Sequence, residues 1–195
     1  MGIDIDDCWT QALRHIGSGE TQRAVALCER EPCSNLMECQ RFLGWVYYKE
    51  NSLDKALAWF SKAANQGDGD ALYGVGSVYF VRRDFNLALQ HYGKAAERGY
   101  FRAYHWIAYI HHQGLGVSKN VKLAMDYYSR SAAHGYLIAE RALLHLAWQQ
   151  GRALKRLAIL PKYVYLVVKT AVVAFRNAND PRIVDVPNAF ERTFH

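Results

Sequence analysis

Proline is scarce in this chain, cysteine is absent after Cys39, and no acid occurs between Arg141 and Asn179. Four prolines in 195 residues, with frequent Ala, Leu and Tyr, favour helices over a strand-and-turn architecture. The four cysteines (Cys8, Cys28, Cys33, Cys39) match neither the paired C-x-x-C of a zinc site nor a thioredoxin motif. They read as small structural thiols, with a redox or disulfide role as the alternative. Nucleophile and phosphate motifs are missing as well: there is no G-x-S-x-G and no G-x-x-x-x-G-K-[ST], so no catalytic case arises from motifs.

An N-terminal apolar run is also lacking. Residues 1–8, Met-Gly-Ile-Asp-Ile-Asp-Asp-Cys, are acidic, so no secretory leader is expected. Asp6 stands where a myristoylation motif needs Ser or Thr. A cytoplasmic chain with reduced thiols, peripheral on the inner membrane, is the expectation.

What is present is apolar and uneven in charge. Hydrophobic residues make up 51% and aromatics 13%, enough to bury a core and exclude general disorder. The formal charge of +6 is concentrated late. Residues 1–139 carry 15 bases against 14 acids, and residues 140–195 carry nine against four. These bases adjoin the most apolar stretch and form no polar basic face. Acidic lipid or an acidic protein partner fits better than nucleic acid.

A repeat organises the first three quarters. Ala24, Ala56 and Ala88 are spaced by 32, and Ala124 follows after 36. Cys39, Ala71, Ala103 and Ala139 repeat the same intervals, with four extra residues entering at Gly114-Leu115-Gly116-Val117. Each unit reads as a first helix, a turn, a second helix and a glycine stop at Gly67, Gly99 or Gly135. Asn35 is expected to hold the corresponding stop in the N-terminal unit. The second helices carry a shared apolar face: Leu53, Ala56, Leu57, Phe60, Ala63 and Ala64, echoed by Phe85, Ala88, Leu89, Tyr92, Ala95 and Ala96. One unit cannot bury such a face alone, so units stack. Gly74 and Gly76, inside a helix, permit close packing.

Lys62-Ala63-Ala64-Asn65-Gln66-Gly67, its echo Lys94-Ala95-Ala96-Glu97-Arg98-Gly99, and the loop Gly114-Leu115-Gly116-Val117-Ser118-Lys119-Asn120 with Ala124, Tyr127 and Tyr128 resemble the SEL-one-like repeat family. That family is a branch of the tetratricopeptide superfamily. The likeness covers residues 38–142. It departs at His111, where the family favours Tyr, and at Arg130-Ser131-Ala132, which replaces Lys-Ala-Ala. The resemblance implies a right-handed α-solenoid and a non-catalytic scaffold that binds proteins. In bacteria such repeats commonly serve envelope, polysaccharide or signalling machinery. The expected organisation is a solenoid over 1–151, with repeats at 8–38, 39–70, 71–102, 103–138 and a partial unit at 139–151. An apolar basic helix over 152–179 and a polar tail over 180–195 follow.

Two surfaces are candidates for function. In a superhelix of this kind the first helices line the concave side, which places Arg41, Trp45, Tyr48, Tyr73, Ser77, Phe80, His105, Tyr109, His112, Arg141, His145 and Trp148 there. Aromatics in a concavity anchor an extended peptide or a partner helix; the other reading is that they pack between units. The second surface is Leu157–Phe175. It approaches the length of a membrane span, but Pro161, Lys162 and Lys169 interrupt it, and a charge at the bilayer centre costs roughly 2.5–3.5 kcal/mol. Lys155, Lys162, Lys169 and Arg176 recur every seven residues, and from Lys162 onward they share one side of a helix that starts at Pro161. A basic stripe beside a broad apolar face suits a membrane interface, with Arg152 and Arg156 adding attraction to anionic lipid. A capping helix for the last repeat, or a strand pair, is the alternative.

His105, His111 and His112 share one helix without an H-E-x-x-H arrangement, so no metal or general base is expected. No cofactor, small-molecule substrate or nucleic acid is implied. The function read here is a protein-interaction adaptor at a membrane. An accessory subunit of a membrane-embedded enzyme complex and a soluble binding protein are the other readings.

Overall fold

The computed structural model describes residues 5–150 and 153–177. Its described residues are all-α, with no strand among them: α1 (Ile5–Gly17), α2 (Thr21–Cys28), a 3-10 turn at Cys33–Asn35, α3 (Met37–Lys49), α4 (Leu53–Asn65), α5 (Gly69–Val81), α6 (Phe85–Glu97), α7 (Arg102–Gln113), α8 (Val121–Ala133), α9 (Leu137–Gln150) and α10 (Ala153–Arg176). The chain divides inside α6 into two compact units, one running to Ala95 and one starting at Ala96.

Local chemistry sets the helix ends. Gly67, Gly99 and Gly135 all take positive φ, the left-handed turn that only glycine adopts without a Cβ penalty. The turns inside the helix pairs follow the same 32-residue phase. Gly19, Asn51 and Arg83 have φ of 78°, 57° and 63°. At each, the following amide bonds back to a carbonyl in the last helical turn: Glu20 to His15, Ser52 to Tyr47, Asp84 to Tyr79. Asn35 does not take the expected role. It sits in a 3-10 turn outside the positive-φ set, because this unit closes through Pro32 and Cys33.

Packing in the first unit centres on ring-against-glycine contacts. Phe60 of α4 is fully buried between Gly44 of α3 and Gly74 of α5. A Cβ at Gly74 would lie 2.6 Å from the Phe60 ring, and one at Gly44 would overlap the same ring. Gly76 gives way to Tyr92 in the same manner, with a would-be contact of 2.7 Å. Each glycine costs about 0.5–1 kcal/mol of helix propensity relative to alanine. The burial of a whole aromatic side chain, roughly 1.5–3 kcal/mol, offsets it. In the second unit Ala108, Ala124, Tyr128, Tyr136, Ala139 and Leu146 form the core, with Phe101, Val121, Met125 and Leu143 packed around it.

The cysteines depart from the free-thiol reading. Cys8 of α1 and Cys33 of the 3-10 turn form a disulfide, while Cys28 and Cys39 are buried free thiols. Helical pairing of α1 with α2 brings residues 25 apart in sequence to bonding distance, which spacing alone does not reveal.

The C-terminal segment is a helix, not a strand pair. It begins eight residues before Pro161, so the proline lies inside α10 and not at its first turn. Proline has no N–H to give the carbonyl one turn earlier.

Candidate interaction surface

The proposed groove residues separate by burial. In the first unit Trp45, Tyr73 and Ser77 are core residues, 2%, 1% and 5% exposed. Trp45 meets Phe60 edge-on at 4.6 Å and lies 6.1 Å from Tyr73, which tilts against Tyr92 at 5.4 Å. The Ser77 hydroxyl donates to the Tyr73 carbonyl at 3.0 Å and accepts from the Tyr92 hydroxyl at 3.3 Å. These three hold repeats together and cannot greet a partner. Arg41 is half-buried for a different reason: it bonds Asp68 at 2.7 Å and approaches Asp70 at 3.8 Å. Asp68 also caps α5, accepting from the amides of Asp70 and Ala71. Arg41 therefore fastens α3 to the next repeat. Tyr48 and Phe80 remain half-buried, and burial pushes the Tyr48 hydroxyl pKa upward.

In the second unit His105 is also a core residue, 5% exposed, ringed by Trp106, Tyr128 and Tyr136 at 5.3–5.8 Å. Helical phase alone cannot separate an inter-helix position such as His105 from an open one, so its place inside an aromatic cluster corrects the groove expectation. Tyr109 and His112 are half-buried. Burial, then the nearby Lys119 and His145, push the His112 pKa down. Arg141 and His145 of α9 are exposed and Trp148 is half-buried; Gln149 Nε2 lies 2.8 Å from His145 Nε2. His145 and Trp148 share a pocket of ≈ 240 Å³ with Leu160 and Tyr163 of α10. The aromatic surface expected along every first helix is thus concentrated, in this unit, on α9 and its neighbour. Among the described residues no three His, Cys, Asp or Glu side chains converge as metal ligands.

The α10 helix has three faces. Ile159, Tyr163, Thr170 and Val173 are half-buried and Leu166 is buried; these fall on one side at 3.6 residues per turn, and α10 packs on α9. The opposite side is apolar and exposed: Leu160, Val164, Val167, Val168, Val172 and Phe175, the last 94% exposed. Lys162 and Arg176 are exposed and Lys169 is half-buried; the three line one flank only. Lys155 and Arg156 lie in the first turns of α10, and Arg152 lies outside the described residues. Sequence reading found the basic stripe and the apolar breadth. It missed the seam through Leu166, whose only signal is a 3–4 spacing hidden among equally apolar neighbours. No described helix is long and apolar enough to cross a membrane.

Paired helices of about 13 residues, closed by left-handed turns and repeated every 32 residues, define a tetratricopeptide-like helical repeat protein. The chain belongs to the Sel1 repeat family: the family model matches residues 38–68, 69–100 and 102–136, which coincide with α3–α4, α5–α6 and α7–α8. Among solved structures, the chain is similar to a Sel1 repeat protein from Oxalobacter formigenes (25% identity, TM-score 0.60, covering 72% of this chain and 61% of that one). It also shares the fold of c5321, a protective antigen of uropathogenic Escherichia coli displaying an SLR fold (21%, TM-score 0.70, 93% and 44%). Among curated proteins, it is 38% identical over 86 residues to the rat DAP3-binding cell death enhancer 1, covering 41% of this chain and 17% of that one. It is 34% identical over 68 residues to HRD3 of Candida glabrata, an ERAD-associated E3 ubiquitin-protein ligase component, covering 35% and 8%. The chain thus spans less than a fifth of the length of these two relatives.

Proposed function

We propose that this chain is a non-catalytic adaptor that binds a protein through its repeats and rests on an anionic membrane surface through the outward face of α10. Relatives named for a binding partner or for membership of a ligase complex support the adaptor part. The protein contact is assigned to Arg141, His145 and Trp148 with the pocket they share with Leu160 and Tyr163.

One observation carries the membrane part. The exposed apolar residues of α10 lie opposite its seam with α9, and Lys162, Lys169 and Arg176 sit on the flank between the two. A helix so arranged can stay packed on α9 while its outer face enters the headgroup boundary and its lysines reach acidic headgroups. Capping and membrane contact are then two faces of one helix. Service to envelope or polysaccharide machinery is the setting such an adaptor suits.

Flotation with vesicles of phosphatidylglycerol and phosphatidylcholine tests this. The full chain should float, and Lys162→Glu with Lys169→Glu, or high salt, should reduce it severalfold. A folded chain that stays at the bottom of the gradient with these vesicles overturns the membrane reading and leaves the soluble adaptor.

A further inference from the structure

Leu160, Val164, Val167, Val168, Val172 and Phe175 form one exposed row along α10. From Leu160 to Phe175 the helix rises roughly 1.5 Å per residue, about 22 Å in all. An apolar row on a folded chain marks a contact surface. The helix beneath it carries bases and no acid, so an occupant bearing acidic side chains is favoured.

Residues 178–195 follow directly on α10 and lie outside the described residues. The stretch expected as a polar tail nonetheless holds Ile183, Val184, Val186, Phe190 and Phe194. Asp180, Asp185 and Glu191 lie there too, and with Glu140 they are all the acids after residue 139; Arg182 and Arg192 are its bases. Asn179, Asp180 and Pro181 are turn formers, placed where a chain leaving α10 would reverse. Pro187 disfavours a helix over the residues that follow the turn. From Ile183 to Phe190 an extended chain, at about 3.1–3.3 Å per residue, spans about 22–23 Å. That is the length of the row.

We propose that residues 183–190 lie antiparallel along the outward face of α10, with Ile183 at Phe175 and Phe190 at Leu160. The occupant of the row is thus a segment of the same chain. Asp180 then falls near Arg176. Asp185, about 6–7 Å past Ile183, falls beside Lys169, about 9 Å back from Phe175 along the helix. Leu160 also borders the pocket with His145, Trp148 and Tyr163, so Phe190 arrives at its rim. The inference rests on the reading of this face as a contact surface and adds a control to it. Segment and bilayer compete for the same side chains, so the face meets a membrane only when the segment lifts away.

The test places p-benzoylphenylalanine at position 190 of the full chain and irradiates it in buffer without vesicles. After trypsin, peptide 183–192 should be crosslinked to 157–162 or 163–169, within the band of a single chain. Crosslinks anywhere else in the chain, or none, overturn the proposal. Crosslinks confined to a two-chain band overturn it in favour of a second copy. Flotation separates this inference from the reading it rests on. Val186→Ser with Phe190→Ser should float severalfold more than the unaltered chain, at an unchanged thermal midpoint; equal flotation of the two overturns the competition. A chain that crosslinks as expected but floats in neither form keeps the segment on α10 and overturns the membrane reading. A chain that floats without the crosslink does the reverse.

Discussion

Helices α5 and α10 are both rich in valine and aromatic residues, yet they end in opposite places. In α5 the stretch Tyr73–Val78 is buried throughout, because α3 and α4 lie on one side and Tyr92 of α6 on another. Among the described side chains of α10 only Leu166 is buried, and Val164, Tyr165, Val167, Val168 and Phe175 face outward. Apolar content does not decide burial; the number of neighbours does. A repeat helix in the middle of a stack meets neighbours on several sides, whereas α10 packs on α9. An exposed row of large apolar side chains on a folded chain marks a contact surface.

The widest gap between the two regions should appear on truncating Phe60. It fills the space that Gly44 and Gly74 leave and touches Trp45. Phe60→Ala should cost about 3–5 kcal/mol, measured by urea denaturation of the full chain. A cost below about 1 kcal/mol would mean that α3, α4 and α5 collapse into the cavity and that the ring-against-glycine packing matters little.

Leu166→Ala asks the same question of α10. If the seam with α9 is a true core, the loss should fall near the lower end of the range for buried leucine, about 2 kcal/mol. A change within about 0.5 kcal/mol would place Leu166 among ordinary surface residues and remove the distinction between the faces of the helix.

Acid separates the regions by charge. His91, His111 and His112 lie on repeat helices, and burial lowers the pKa of each; α10 contains no histidine. Below the ordinary imidazole value, about 6.5, the unfolded chain takes up protons before the folded chain does. Stability contributed by the neutral rings is therefore present above that value, and it is lost as pH falls through it toward the depressed folded pKa values. Thermal midpoints should decline across that window. Replacing all three with glutamine should flatten the slope; an unchanged slope would assign the acid sensitivity elsewhere.

Much of the repeat architecture was legible because stacking leaves a periodic record. Ala56, Ala88 and Ala124 sit where helices approach closely, and Gly67, Gly99 and Gly135 sit where only a left-handed turn fits. The groove was less legible. Trp45, Tyr73, Ser77 and His105 occupy first-helix positions that also face the neighbouring helices, and one sequence holds no information on which neighbour arrives. The Cys8–Cys33 bond was hidden for the same reason: it depends on how α1 returns over the 3-10 turn. In α10 the seam was masked by composition, since Leu166 and Val168 look alike until α9 covers one of them.

The smallest stability effect should carry the largest functional one. Val164→Ser with Val168→Ser removes two methyl-rich side chains from the outward face of α10, each about half exposed. Neither covers the seam, so stability should change by no more than about 0.5 kcal/mol for each substitution. Membrane attachment depends on apolar area entering the interface, so flotation with anionic vesicles should fall severalfold at unchanged thermal midpoint. The paired control is Ser118→Ala, on an exposed loop of the third repeat, which should alter neither. If flotation persists in the double serine variant while Lys162→Glu with Lys169→Glu abolishes it, attachment is electrostatic alone. The outward apolar row would then be the docking face for a protein, and the contrast between α5 and α10 would mark a missing partner chain in place of a bilayer.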